Sequence, residues 1–141
     1  MLKSARIAIL GLCLSSAGAL AGPWQDAQEQ IRRGDFVAAL PLLVAAANAP
    51  GEPNAAAAQY TVGSYYEYGT GTAVDLTQAA RWYRKAAESG HVQAEVALGS
   101  MYAQGRGVAQ DYTEAAKWLG MAAKANAGNK PAATTDGVKP D

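Results

Sequence analysis

Gly63-Ser-Tyr-Tyr-Glu-Tyr-Gly-Thr-Gly-Thr-Ala-Val-Asp75 and Gly99-Ser-Met-Tyr-Ala-Gln-Gly-Arg-Gly-Val-Ala-Gln-Asp111 lie 36 residues apart and share glycines, serine, tyrosine, alanine and aspartate at matched positions. Extending the match aligns Ala58–Gly90 with Ala94–Asn126, where 14 of 33 positions are identical, Trp82 and Trp118 among them. Abundant alanine cannot produce matched Gly, Tyr, Asp and Trp at one offset. A period of this length belongs to solenoids of helix-turn-helix units.

Each unit reads as two helices. Ala58, Val62, Tyr65 and Tyr66 form one apolar stripe at helical spacing, and Ala94, Leu98, Met101 and Tyr102 form its counterpart. Gly69 and Gly105 are placed to end these helices with a left-handed residue. Gly71 and Gly107 complete the Gly-x-Gly turns. Asp75 and Asp111 then start the second helices, because an N-cap carboxylate accepts orphan amide bonds. The second stripes are Ala79, Trp82, Tyr83, Ala86, Ala87 and Ala115, Trp118, Leu119, Ala122, Ala123. Gly63 and Gly99 fall inside helices, where glycine costs about 1 kcal/mol against alanine. Their repetition predicts an approach too close for a side chain.

A degenerate unit precedes these two. Asp35-Phe36, Ala39, Leu42, Leu43, Ala46 and Ala47 match Asp75-Leu76, Ala79, Trp82, Tyr83, Ala86 and Ala87 at an offset of 40, and Pro50-Gly51-Glu52-Pro53 absorbs the extra residues. Trp24 to Arg33 is its first helix, and Pro41 is expected to cost a hydrogen bond or kink the start of the second. The resulting organisation is a signal peptide over 1–21, a degenerate helix pair over 22–54, repeats over 55–91 and 92–126, and a disordered tail over 127–141. The signal peptide rests on Lys3, Arg6, the short apolar run Ile7 to Leu14 and the Ala19-Leu20-Ala21 site, with cleavage after Ala21. Cys13, the only cysteine, lies in the part removed, and no stable membrane anchor is left. The tail rests on its Gly, Asn, Pro, Thr and Asp content.

Gly99–Val108, followed by Asp111, Ala115-Ala116, Trp118 and Ala122-Ala123, resembles a Sel1-like repeat. Ala58–Gly90 fits as well, with Arg81-Trp-Tyr-Arg-Lys-Ala-Ala87 very close to the family pattern; Thr72 departs from the usual valine. The resemblance implies an all-α, right-handed solenoid of short antiparallel helix pairs of the tetratricopeptide-like kind. It also implies an interaction scaffold, often in bacterial envelope assembly, host contact or signalling. One cysteine-rich branch, with a disulfide in each repeat and penicillin binding, is a poor match for a mature chain without cysteine.

The twelve basic and twelve acidic residues of the chain create no field directed at nucleic acid, and ten against twelve remain once residues 1–21 are removed. Nucleophile-elbow, Ser-x-x-Lys, His-Glu-x-x-His and Walker patterns are absent. The Gly-x-Gly turns lack the preceding strand of a nucleotide fingerprint. His91 stands alone in the inter-repeat turn, which suits a structural role. No catalytic residue, metal site or cofactor is expected.

Positions that break the repeat are the informative ones. Tyr60 and Tyr68 face Val96 and Gln104 in the alignment. At about 100° per residue, Tyr60, Ser64 and Glu67 project opposite the core stripe, with Tyr68 at its edge. Exposed tyrosines offer large contact area and few rotors. These four residues are candidates for contact with a protein or peptide partner, against the alternative that the irregular first unit covers them. The last helix, expected over Asp111–Ala125, should pack inward through Tyr112, Ala115, Ala116, Leu119, Ala122 and Ala123. Met121 then lies where a following repeat would stack, to be covered by a partner or in a weak homodimer. The function expected is that of an exported, periplasmic or secreted, protein-binding module. The alternatives are a cell-wall-directed enzyme or β-lactam binder and a structural subunit of an envelope assembly.

Overall fold

The computed structural model describes residues 21–129. The expected signal peptide and most of the expected tail lie outside the described residues. Six helices follow one another: α1 (Pro23–Arg33), α2 (Phe36–Asn48), α3 (Ala55–Tyr68), α4 (Leu76–Glu88), α5 (Val92–Gln104) and α6 (Tyr112–Gly128). Each packs on its neighbours in sequence, so the helix pairs stack into a solenoid.

The caps repeat because the sequence repeats. The Asp35, Asp75 and Asp111 carboxylates accept from Ala38 N, Gln78 N and, for Asp111, both Thr113 N and Glu114 N. Gly69 and Gly105 close α3 and α5 in the left-handed region. Gly71 and Gly107 perform a second task, at φ of +68° and +69°. A Cβ on Gly71 would lie 2.5 Å from the Phe36 carbonyl oxygen, and one on Gly107 would run into the Leu76 carbonyl. Each Gly-x-Gly turn thus seats its unit on the start of the preceding unit's second helix.

The core is built largely of alanine, with Leu43, Val62, Tyr83, Leu98 and Met101 filling the wider gaps. Gly63 admits the Tyr83 ring, whose Cδ1 would be 2.7 Å from an added Cβ; Gly99 admits Leu119 at 2.8 Å. Both in-helix glycines therefore serve close approach, as their repetition predicted. Pro41 sits within α2, which remains one helix from Phe36 to Asn48.

Three expectations need correction. Helix α6 continues to Gly128, beyond the expected end, because Asn126 and Ala127 extend the helix despite the change in composition. Its buried face is Ala115, Trp118 and Ala122, whereas Tyr112, Ala116, Leu119 and Ala123 are exposed. The six-residue stripe spans two faces about 100° apart, one buried against α5 and one exposed, with Leu119 at their border, 41% exposed yet packed against Gly99. Trp82 and Trp118, matched in sequence, are not matched in burial. Trp118 is 4% exposed in the core that α4, α5 and α6 share, while Trp82 is half-buried at the junction with the first unit, with Lys85 Nζ 4.4 Å above its ring.

Candidate functional site

A groove of about 720 Å³ runs between α3 and α5 and reaches the end of α6. Tyr60, Glu67 and Tyr68 line it from α3, and Val92, Gln93, Val96, Ala97, Ser100 and Met101 from α5. Arg106 closes one end from the Gly-x-Gly turn, and Asn126 and Asn129 close the other.

The two tyrosines differ in their support. Tyr68 is 71% exposed at the rim. Tyr60 is half-buried, its ring centroid 5.5 Å from that of Tyr83 and 4.9 Å from the His91 imidazole, which it stacks at 21°. His91 is also the cap of α5: its Nδ1 accepts from Ala94 N at 3.4 Å. An imidazole accepting at Nδ1 must be unprotonated there, and burial lowers its pKa from the ordinary value, against a smaller opposing hydrogen-bond effect.

Glu67 does not project freely as the sequence implied. Its side chain is only 9% exposed. Tyr83 Oη donates to Glu67 Oε2 at 2.6 Å, and Arg106 Nη1 donates to Oε1 at 3.2 Å. Desolvation, this hydrogen bond and the carboxylate's charge push the Tyr83 phenol far above its usual pKa, so it stays a donor. The three residues clasp the two repeats together: Glu67 from α3, Tyr83 from α4 and Arg106 from beyond α5. The guanidinium remains 41% exposed and faces the groove with donors to spare. Glu67 and Arg106 are the only charged lining residues, so the groove is close to neutral.

Ser64 is not part of the lining; its hydroxyl donates to the Thr61 carbonyl within α3. Met121 is 41% exposed but lies away from the groove, in register with Lys85, which is exposed even though α5 is stacked on α4. It therefore does not mark the stacking face. Sequence reasoning overlooked Arg106 and the α5 side of the groove. The signal was present for Arg106, which replaces Thr70 of the matched turn and so breaks the repeat as Tyr60 and Tyr68 do. Asn126 and Asn129 carried no such signal, since they lie where the repeat fades.

Among the described residues no group of three or more His, Cys, Asp and Glu is placed to hold a metal ion. No described helix is long and apolar enough to cross a membrane.

The Sel1 repeat family model matches residues 56–91 and again 92–126. Among solved structures, a Sel1 repeat protein from Oxalobacter formigenes is 31% identical over 75% of this chain and 41% of its own, with a TM-score of 0.64. The protein c5321, described as a protective antigen present in uropathogenic Escherichia coli strains and displaying an SLR fold, is 34% identical over 70% of this chain and 23% of its own, with a TM-score of 0.60. The chain thus spans less than half the length of either. Cysteine rich protein B of Helicobacter pylori, 22% identical over 71% of this chain and 88% of its own with a TM-score of 0.53, shares the fold. No curated protein matches the chain.

Proposed function

The chain belongs to the Sel1 repeat family, a class of protein–protein interaction module, and from that premise we propose that its α3–α5 groove binds an extended segment of a partner protein. The observation that carries this is the lining. Tyr60 and Tyr68 supply aromatic area opposite Val92, Val96 and Met101, a combination suited to apolar side chains. Gln93, Ser100, Asn126 and Asn129 border it with paired donors and acceptors, the groups an extended main chain requires. The Glu67–Tyr83–Arg106 clasp holds the two walls in one geometry, which lowers the ordering cost of binding.

The protein works by binding, in this reading, and does so outside the cytoplasm, in the bacterial periplasm or beyond. Export is supported by the basic start, short apolar run and Ala-x-Ala site of residues 1–21. Envelope assembly, host contact and signalling are the settings this suits. Of the residues first singled out, Tyr60 and Tyr68 are assigned to contact and Glu67 to holding Arg106; Ser64 is assigned no contact.

The test uses peptides selected from a displayed random library against the folded chain. Tyr60→Ala and Tyr68→Ala should each weaken a selected peptide by about 1–3 kcal/mol, with helical content retained, and Ser64→Ala should leave affinity unchanged. Full affinity in a folded Tyr60→Ala/Tyr68→Ala double variant would discard the groove as the binding site.

A further inference from the structure

Among the described residues that line the groove, Arg106 is the only cation, and it is held by one edge. Its Nη1 donates to Glu67 Oε1 at 3.2 Å, and no other described residue accepts from the guanidinium. Glu67 has no second oxygen to offer the groove. Its Oε2 already accepts from the Tyr83 hydroxyl at 2.6 Å, and its side chain is 9% exposed against 41% for that of Arg106. The pair is neutral in sum but not at the surface. The carboxylate is buried in the wall, and the guanidinium stands in the groove.

A guanidinium carries five N–H donors in a planar fork. With Nη1 engaged, Nε and Nη2 remain along its other edge, spaced for two parallel bonds to a carboxylate. The bond to Glu67 fixes the plane of the fork, so less rotamer freedom is lost when a second acceptor arrives. The position is also free of structural duty. In the turns Gly69-Thr70-Gly71 and Gly105-Arg106-Gly107 the two glycines adopt positive φ, while the residue between them is threonine in one repeat and arginine in the other.

We infer that Arg106 is a recognition subsite for an acidic side chain, so that the segment taken by the groove carries an aspartate or a glutamate. This rests on the groove reading above and names the chemistry of its ligand. A single negative charge suits the site better than a double one. A phosphate dianion would face the Glu67 carboxylate with no second lining cation to offset the repulsion. An internal segment of a partner has no free terminus, so the carboxylate comes from a side chain. The register follows from α3. Tyr60 and Glu67 are separated by a rise of about 10 Å along the helix, which an extended chain covers in about three residues. An apolar side chain seated among Tyr60, Val92 and Val96 then stands about three to four residues from the acid.

The test selects ligands from a displayed random library and takes them forward as synthetic peptides with amidated ends. Those whose binding is lost in the Tyr60→Ala/Tyr68→Ala double variant are groove ligands, and they should carry Asp or Glu at the spacing above. Replacing that acid by Asn or Gln, with the protein unaltered, should weaken binding about ten- to hundredfold. Arg106→Gln, with circular dichroism to confirm folding, should weaken the acidic peptide to a similar degree and leave the neutral peptide unchanged. Groove ligands without an acid, or indifferent to its neutralisation, would overturn the inference and leave the groove reading standing. So would peptides that bind only with an unblocked terminal carboxylate. A neutral peptide weakened by Arg106→Gln as much as the acidic one would assign Arg106 to holding the walls alone, and would likewise overturn the subsite. A library that yields no groove ligand would overturn the groove reading and this inference with it.

Discussion

The two full repeats share their caps, glycines and a tryptophan, yet they make opposite contributions to the groove. The first supplies Tyr60, Glu67 and Tyr68; the matched positions of the second are Val96, Ala103 and Gln104. The second instead supplies the α5 wall, Val96 included, and Arg106, where the first has Thr70. Shared positions hold the stack together, and of the aligned residues that line the groove all but Ser100 depart from the repeat. A solenoid separates the two tasks because each unit needs only a few fixed contacts with its neighbours.

The matched tryptophans give the largest contrast. Trp118→Ala should cost about 3–5 kcal/mol, whereas Trp82→Ala, at the half-buried junction, should cost less than about 3 kcal/mol. Urea unfolding of the two variants decides it, and equal losses would mean that the shared pattern, not burial, sets their importance. Next come the turns. Gly107→Ala combines a left-handed residue with a collision against the Leu76 carbonyl, and roughly 2–4 kcal/mol should be lost; the same change at Gly120, inside α6 and beside open space, should instead raise the melting midpoint, because alanine is favoured over glycine in a helix by about 1 kcal/mol.

Much of this fold was legible because its determinants are local. Asp caps, terminating glycines and the 36-residue offset state where helices begin and end, and the degenerate first unit was visible through Asp35 and its alanines. The faces of α6 were less so. In an alanine-rich helix the buried and free stripes are chemically alike, and only the stacking of α5 distinguishes Ala115 from Ala116. The groove was half legible. Tyr60 and Tyr68 stood out against the repeat, but the burial of Glu67 depends on Tyr83 and Arg106, which are 16 and 39 residues away.

One mismatch between the units predicts a gain. Gln59 of α3 donates through Nε2 to the Ala47 carbonyl at 2.9 Å. Its counterpart Glu95 is 3% exposed and, as Gln59 does at Oε1, leaves an oxygen, Oε2, without a partner; as a carboxylate it lacks the donor that Gln59 uses. Glu95→Gln supplies that donor and should stabilise the fold by about 0.5–1.5 kcal/mol, read as a higher urea midpoint at neutral pH. A smaller effect separates the inter-repeat turns. His91 is held unprotonated in the fold, so its contribution to stability is present above its unfolded pKa of about 6.5. That contribution fades as the pH falls through the lowered folded value. Urea midpoints at pH 7.5 and 5.5 should differ less for His91→Asn, which keeps a cap without the titration.

Departures from the repeat, and not the repeat itself, are proposed to create the binding surface. Replacing Tyr60 and Tyr68 together by the residues of the second unit, Tyr60→Val and Tyr68→Gln, tests it most directly. The affinity of a groove-selected peptide, measured by calorimetry on the doubly exchanged chain, should fall at least a hundredfold while its helical spectrum is kept. A chain made this regular that still binds the peptide with its original affinity would contradict the claim.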